Sequence, residues 1–190
     1  MSRYDSRYLS FPCEVREASS PDSIGMLVGT AVVFDAESED LGGFVETIDP
    51  RALDGVMASD PDVRAFWNHD TGSLLARTIA GTLRLRLDAK SLRYEIDLPD
   101  TSAGRDVLTL ARRGDLRENS FGFDVDIDGD EWSRRDDGMR MRRLKRISRL
   151  YEVSPVSIPA YPQTSLAVRS LERWERESVR RHYTTLSPRR

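Results

Sequence analysis

Two histidines supply the only imidazoles of the chain, so few positions could hold an imidazole base. His182 lies in a charged C-terminal tail beside Arg180 and Arg181, where no rigid element is expected to hold it. His69 directly follows an apolar segment, 63–67, and precedes a turn that contains a glycine. Strand ends that lead into loops commonly carry catalytic groups. His69 is therefore the candidate base, although a single histidine in such a place is more often structural than catalytic.

Ser120 is the candidate nucleophile. It begins the segment Ser-Phe-Gly-Phe at 120–123, which follows a predicted helix. A serine hydroxyl attacks effectively only when a neighbouring base accepts its proton, so the fold must bring His69 close. Without that contact, the simpler interpretation of the motif is a strand-end serine beside two core aromatic residues. Cys13 is an alternative nucleophile, but a passive thiol is the expected role.

A nucleophile and base of this kind need a third group that orients the imidazole and stabilises its charged form. Glu152 is the preferred candidate, because it lies among apolar and small residues, where a buried carboxylate needs a partner. An outward-facing charge on an alternating strand explains Glu152 equally well. Glu46 and Asp70 are weaker alternatives for the same role.

Other chemistries have less support in the sequence. The acidic residues of segment 124–131 are spaced like the start of a calcium loop. Arg135 occupies the closing ligand position in place of a glutamate, so an acidic hairpin turn is the better interpretation. A pair of histidines or cysteines for zinc is lacking, and so is a glycine pattern for phosphates. We therefore expect neither a metal nor another cofactor.

Hydrophobic periodicity predicts a mainly β fold that positions these residues. The predicted strands cover residues 26–34, 43–48, 63–67, 74–79, 82–87, 91–98, 120–127, 139–147 and 150–158. The strands at 74–79 and 82–87 resemble a hairpin. A helix is expected from a cap at Asp100 or Thr101 to a stop at Gly114, and a shorter one is expected to open at Asp49 and Pro50. A closed or nearly closed antiparallel barrel with surrounding helices is the expected architecture, because closure removes exposed strand edges.

The 190 residues fit one domain. We expect an N-terminal arm over 1–20, either flexible or an edge strand, a domain over 21–165, and a charged tail over 166–190 with a solvated helix and a frayed end. The net charge of −3 argues against a dedicated nucleic-acid-binding protein. The apolar stretches are too short for a membrane span or a signal peptide, and the single cysteine suits a reducing cytosol.

Five ordered segments together resemble the caudoviral (tailed-phage) prohead maturation protease family. They are Gly29–Phe34, Phe44–Glu46, Asn68–Asp70, Ser120–Phe123 and Glu152–Ala160. Each segment is weakly specific by itself, while their order and spacing are much more specific. The resemblance extends over about residues 25–165.

This resemblance implies a serine endopeptidase with a fold similar to the herpesvirus assembly protease, a β-barrel surrounded by helices. By position it implies His69 as the base and Ser120 as the nucleophile. The herpesvirus enzymes use a second histidine as third member, which this domain lacks, so an acid must take that role and Glu152 lies in the corresponding strand. The oxyanion donor implied by position is the backbone N–H of Ala160, since Pro159 has none.

The resemblance also implies the partner and the place of action. The substrates would be scaffold or capsid precursor segments and the enzyme's own termini, cleaved inside the assembling prohead in the host cytoplasm. Neither a membrane nor a specific nucleic acid is expected as a partner, and a homo-oligomer is left open. The alternative is a non-catalytic structural or scaffolding component of a phage shell.

Overall fold

A computed structural model describes residues 5–10, 13–157 and 171–178 of the chain. Its strands are β1 Asp5–Ser10, β2 Glu14–Arg16, β3 Ser23–Val33, β4 Phe44–Ile48, β5 Arg64–Phe66, β6 Leu74–Arg77, β7 Leu83–Leu87, β8 Ser91–Pro99, β9 Glu118–Val125, β10 Asp130–Arg134, β11 Arg140–Leu144 and β12 Ile147–Val156. Its helices are α1 Asp54–Ala58, α2 Ser102–Arg113 and α3 at residues 171–178, with a 3-10 turn at Thr78–Ala80.

The strands form three sheets, so the prediction of a mainly β fold is confirmed. Sheet 1 has the order β1-β9-β12-β5-β6, sheet 2 the order β2-β3-β8-β7, and sheet 3 the order β10-β11-β4. Most neighbours are antiparallel, while β5 with β12 and β4 with β11 are parallel.

The closed barrel is not found: among the described residues, all three sheets are open. The edge strands explain how open edges are tolerated, since short and charged edges discourage pairing with other chains. The edge strand β2 has three residues, two of them the exposed Glu14 and Arg16. The edge strand β7 alternates leucine with Arg84 and Arg86. The likeness to the herpesvirus enzyme stays a prediction.

The central strand of sheet 2 has the predicted alternation. In β8, every second side chain enters the core, and all four of these are fully buried: Leu92, Tyr94, Ile96 and Leu98. Strands β3 and β7 pair with β8 on its two sides. Because a strand turns every second residue to the same face, this pattern could be predicted locally.

Helix α2 also begins and ends as its sequence predicts. The Thr101 side chain accepts a hydrogen bond from the N–H of Gly104, which satisfies a free donor of the first turn. Gly114 ends the helix with a φ of 79°, a left-handed conformation that glycine adopts without strain. The buried side chains of Val107, Leu108 and Ala111 fasten α2 to the core just before β9.

Two predicted elements are wrong. The strands at 74–79 and 82–87 do not form a hairpin, because β6 pairs with β5 in sheet 1 and β7 pairs with β8 in sheet 2. The short helix begins at Asp54 and not at Pro50. The Asp49 carboxylate instead accepts the N–H of Arg51 within a turn and binds the guanidinium of Arg143 on β11.

The two ends of the described chain pack on the sheets. The predicted arm contributes the edge strands β1 and β2. In α3, Leu171 packs against Leu41 and Phe44, and the ring of Trp174 stacks on that of Trp132. Most of the predicted tail, including His182, lies outside the described residues. Within the described ranges, no helix has the length and apolar character needed to cross a membrane.

Candidate active site

Three neighbouring strands of sheet 1 carry the predicted site residues. Ser120 on β9 lies opposite Ser154 on β12, and Glu152 lies two residues before Ser154. On its other side β12 pairs with β5 through Glu152 and Arg64, and β5 leads into the turn that holds His69. Opposite residues of an antiparallel pair share a face, as do residues two apart on a strand. The register therefore brings Ser120, Ser154 and Glu152 to one face.

The turn between β5 and β6 is held by its own hydrogen bonds. The N–H of Trp67 donates to the carbonyl of Ser73 over 3.1 Å, and the N–H of Asp70 donates to the carbonyl of Trp67 over 3.1 Å. The Asp70 carboxylate accepts from the Ser73 hydroxyl and from the N–H of Gly72, and these bonds lower the pKa of Asp70. Asp70 thus stabilises the turn, and its carboxylate binds Ser73 and Gly72 and not His69.

Asn68 connects this turn to the end of β12. Its N–H donates to the carbonyl of Pro155 over 3.1 Å, and its side-chain Oδ1 accepts the N–H of Ser157 over 2.7 Å. Asn68 and His69 have φ values of 55° and 60°, in the left-handed region. Two consecutive residues in this region are unusual without glycine, so tertiary contacts must hold them.

His69 and Glu152 are joined directly. The Nδ1–H of His69 donates to Oε1 of Glu152 over 2.8 Å, and Glu152 is fully buried. A carboxylate only accepts hydrogen bonds, so Nδ1 carries the proton and Nε2 of the neutral ring is the acceptor. Nε2 is buried and makes no hydrogen bond with any described residue. Glu152 thus fixes the imidazole through Nδ1, and Nε2 on the other side of the ring is left as the base.

Ser154 is a neighbour of this pair that sequence reasoning missed. Its hydroxyl donates to Oε2 of Glu152 over 2.5 Å and accepts the N–H of Phe66 over 3.3 Å. Ser154 is fully buried. The available signal was its spacing of two residues from Glu152, which puts both side chains on one face of a strand.

Ser120 occupies the predicted strand, but its hydroxyl has a different partner. It is fully buried and donates to the backbone carbonyl of Arg7 on β1 over 2.9 Å. No hydrogen bond joins Ser120 to His69 among the described residues, so the contact between nucleophile and base stays a prediction. Two cavities of about 790 and 200 Å³ in the described structure are lined by neither Ser120 nor His69.

Glu46, the weaker candidate for the acid, belongs to a buried ionic cluster. Arg7 binds both of its carboxylate oxygens over 2.7 and 2.8 Å, and Arg142 binds Oε2 over 3.0 Å. Arg142 also binds Asp130 over 2.8 Å. Glu46 therefore shares its single charge between two arginines that join sheets 1 and 3, and its carboxylate binds these arginines and not His69.

Cys13, the alternative nucleophile, is part-buried beside Tyr94 and Asn119. Its thiol donates to Oδ1 of Asn119 over 3.2 Å and lies 3.4 Å from the Tyr94 hydroxyl. Burial raises the pKa of the Cys13 thiol, which disfavours the reactive thiolate. Burial likewise raises the pKa of Tyr94, which donates its own hydrogen bond to Asn119. The cluster fits a packing role.

Two further expectations concern the oxyanion site and metals. Ala160, the predicted oxyanion donor, lies outside the described residues, so its role stays a prediction. Within the described ranges, no three side chains of the metal-ligating types come together.

The family follows from comparison with known sequences. A profile described as caudovirus prohead serine protease matches residues 11–177, which is most of the chain. The chain belongs to this family. It is a serine protease, as the resemblance implied, and the matched range includes His69, Ser120 and Glu152.

Two further comparisons add little. No curated protein sequence matches the chain. Among solved structures, the bacteriophage T4 capsid assembly protease, gp21, is similar with a TM-score of 0.44 and 8% sequence identity. The likeness covers 80% of this chain and 98% of the T4 chain. It is too distant to support an argument about the site.

Proposed function

We propose that this serine protease is the endopeptidase that cleaves scaffold or capsid precursor segments, and its own termini, during prohead maturation. It would act inside the assembling prohead in the host cytoplasm. Membership of the prohead protease family supports this proposal. The observation that carries the assignment of the site is the hydrogen bond between His69 and the buried Glu152, with Nε2 of the imidazole left as an acceptor. The proposed protease domain covers residues 21–165, and its proposed fold is similar to that of the herpesvirus assembly protease.

The proposed reaction is acyl transfer through Ser120. The hydroxyl first turns from the Arg7 carbonyl to Nε2 of His69, which accepts its proton as Oγ attacks the peptide carbonyl carbon. Glu152 stabilises the resulting imidazolium through the Nδ1–H bond. The imidazolium then protonates the leaving amine, and a water activated by the same base hydrolyses the acyl-enzyme. The N–H of Ala160 is the proposed donor to the oxyanion.

Replacement of the nucleophile is the direct test. Ser120→Ala should lower processing of a co-expressed capsid precursor by about 10⁶-fold, because the remaining residues cannot form the acyl-enzyme. Processing is read by intact mass of both proteins. His69→Ala should not add to the defect in the double variant, since nucleophile and base act as a unit.

Ser148→Ala is the matched control, because Ser148 is an exposed serine on β12. It should process the precursor as the wild type does. A Ser120→Ala protein that is folded and still cleaves the precursor at the wild-type rate contradicts the assignment of Ser120. Absence of precursor cleavage by the folded wild type would instead favour the non-catalytic structural role in the phage shell.

A further inference from the structure

We propose that Ser154 is a positioning residue, which holds the Glu152 carboxylate in the orientation that His69 requires. The inference rests on the proposed function, because it assigns Ser154 a role in the same site. Ser154 is fully buried on β12 and contacts both the acid and the strand that leads to the base. It therefore connects the two elements whose relative position decides where the imidazole points.

The backbone of β5 sets the direction of the Ser154 hydroxyl. A hydroxyl has one proton to donate and lone pairs that accept. The N–H of Phe66 occupies the acceptor side of Oγ over 3.3 Å. The single proton is then directed at Oε2 of Glu152, 2.5 Å from Oγ. Since β5 continues into the His69 turn, this bond ties the carboxylate to the same strand that carries the base.

Two anchored oxygens fix the plane of the carboxylate. The terminal torsion of a glutamate is soft, so one hydrogen bond leaves the carboxylate free to turn. In Glu152, Oε1 accepts from His69 and Oε2 accepts from Ser154. The ring plane of His69 and the direction of Nε2 follow from the position of Oε1. Partners of this kind orient catalytic ligands and commonly matter nearly as much as the ligands themselves.

The hydrogen bonds also distinguish Ser154 from a nucleophile. The Ser154 proton is given to a carboxylate, while the available base is Nε2 of His69, which makes no hydrogen bond with any described residue. A hydrogen bond to a carboxylate is stronger than one to a neutral carbonyl, so the Ser154 hydroxyl leaves its partner less readily than the Ser120 hydroxyl leaves the Arg7 carbonyl. Ser154 therefore acts through Glu152 and not on the substrate.

Nuclear magnetic resonance of the imidazole can detect this role without any turnover. In a His182→Gln background, His69 is the single histidine, so nitrogen-15 histidine labelling gives one ring to observe. The wild type should show a strongly deshielded Nδ1 proton from its bond to Glu152. Ser154→Ala should broaden or lose this resonance. Ser154→Thr keeps the hydroxyl and should retain it, whereas Ser154→Val, of nearly the same volume, should not.

Kinetics supply the second readout. Ser154→Ala and Ser154→Val should lower kcat by about 10- to 100-fold with KM nearly unchanged, because the variants lose orientation of the acid and not a substrate contact. Ser154→Thr should recover most of the rate. Ser148→Ala, an exposed serine on the same strand, should match the wild type in both readouts.

Three results would overturn the proposal. One is a Ser154→Ala protein that keeps the deshielded resonance and the wild-type kcat. Another is equal behaviour of the Thr and Val variants, which would make volume the cause. The third is covalent labelling of Ser154 in place of Ser120 by a serine-directed phosphonate. An inactive wild-type protein would contradict the proposed function, and the resonance would still decide the role of Ser154.

Discussion

Two buried glutamates of this protein differ in chemistry because their partners differ. Glu46 lies between two arginines and shares its single negative charge between them. Glu152 accepts hydrogen bonds from His69 and Ser154, so its negative charge lies beside the imidazole and can stabilise a proton that arrives there. At the residue scale, both glutamates are buried, and the direct bond to His69 is what makes Glu152 the candidate acid.

Replacement of each acid by its amide tests this distinction. Glu152→Gln should lower kcat by about 10⁴-fold, because the amide keeps the shape but cannot stabilise the imidazolium. Glu46→Gln should instead lower the free energy of unfolding by about 3–5 kcal/mol, because two buried guanidinium groups lose their shared counter-charge. Turnover at low temperature and denaturant unfolding measure the two effects. A larger kcat defect in Glu46→Gln than in Glu152→Gln would reverse the assignment.

Residue types allowed His69 and Glu152 to be predicted, while their partners depended on strand register. His69 followed from the scarcity of histidine, and Glu152 from an acid in an apolar segment. The bond of Ser120 to the Arg7 carbonyl could not be predicted, because it joins residues 113 positions apart through the pairing of β1 with β9. The position of Ser154 has a local signal, because its spacing of two residues from Glu152 puts both side chains on one face of the strand.

At the element scale, the turn between β5 and β6 decides the direction of His69. β5 is only three residues long, so strand pairing alone anchors the turn weakly. The two bonds of Asn68 to the end of β12 supply the rest of the anchoring. This turn is held in a left-handed backbone at two positions, which favours asparagine or glycine over other residues.

Substitutions at Asn68 separate the contribution of its side-chain hydrogen bond from that of its left-handed backbone. Asn68→Gly tolerates the φ of 55° but loses the Oδ1 bond to Ser157, and it should cost about 1 kcal/mol of stability. Asn68→Ala loses the bond and adds left-handed strain, for a total of about 2–3 kcal/mol. Both should lower kcat, because the adjacent His69 loses its fixed direction. Thermal unfolding and turnover measure the two effects.

Asp128→Ala is the control for the turn. Asp128 is exposed, has a φ of 56° and lies in the turn between β9 and β10. Its replacement should cost stability through backbone strain alone and leave kcat unchanged. If the Asn68 variants also leave kcat unchanged, the turn does not orient the base.

Helices and strands could be predicted where neighbouring residues in the sequence determine them. They could not be predicted where they depend on pairing between strands far apart in the chain. The caps of α2 at Thr101 and Gly114, and the alternation of β8, depend on neighbouring residues. The assignment of β6 and β7 to different sheets depends on strands far along the chain. The open sheets follow from the same distant pairings, since strand number and alternation do not specify closure.

At the scale of the whole molecule, one ionic cluster connects two of the three sheets. Arg7 on β1 belongs to sheet 1, while Glu46, Arg142 and Asp130 belong to β4, β11 and β10 of sheet 3. The Arg7 guanidinium also lies 5.6 Å from the centroid of the Phe123 ring, on the strand of Ser120. The cluster thus fastens the edge strand that contacts the candidate nucleophile.

Removal of one guanidinium measures how much this connection stabilises the fold. Arg7→Met keeps most of the side-chain volume and leaves Glu46 with less positive charge, so the free energy of unfolding should fall by about 3 kcal/mol. Arg51→Met is the matched control, because Arg51 is 86% exposed in its pair with Asp54 and should cost at most about 1 kcal/mol. In a Glu46→Gln background the Arg7→Met cost should shrink, since the two residues are directly coupled. Equal costs for Arg7→Met and Arg51→Met, or fully additive costs with Glu46→Gln, would mean that β1 is held by its pairing with β9 and not by the cluster.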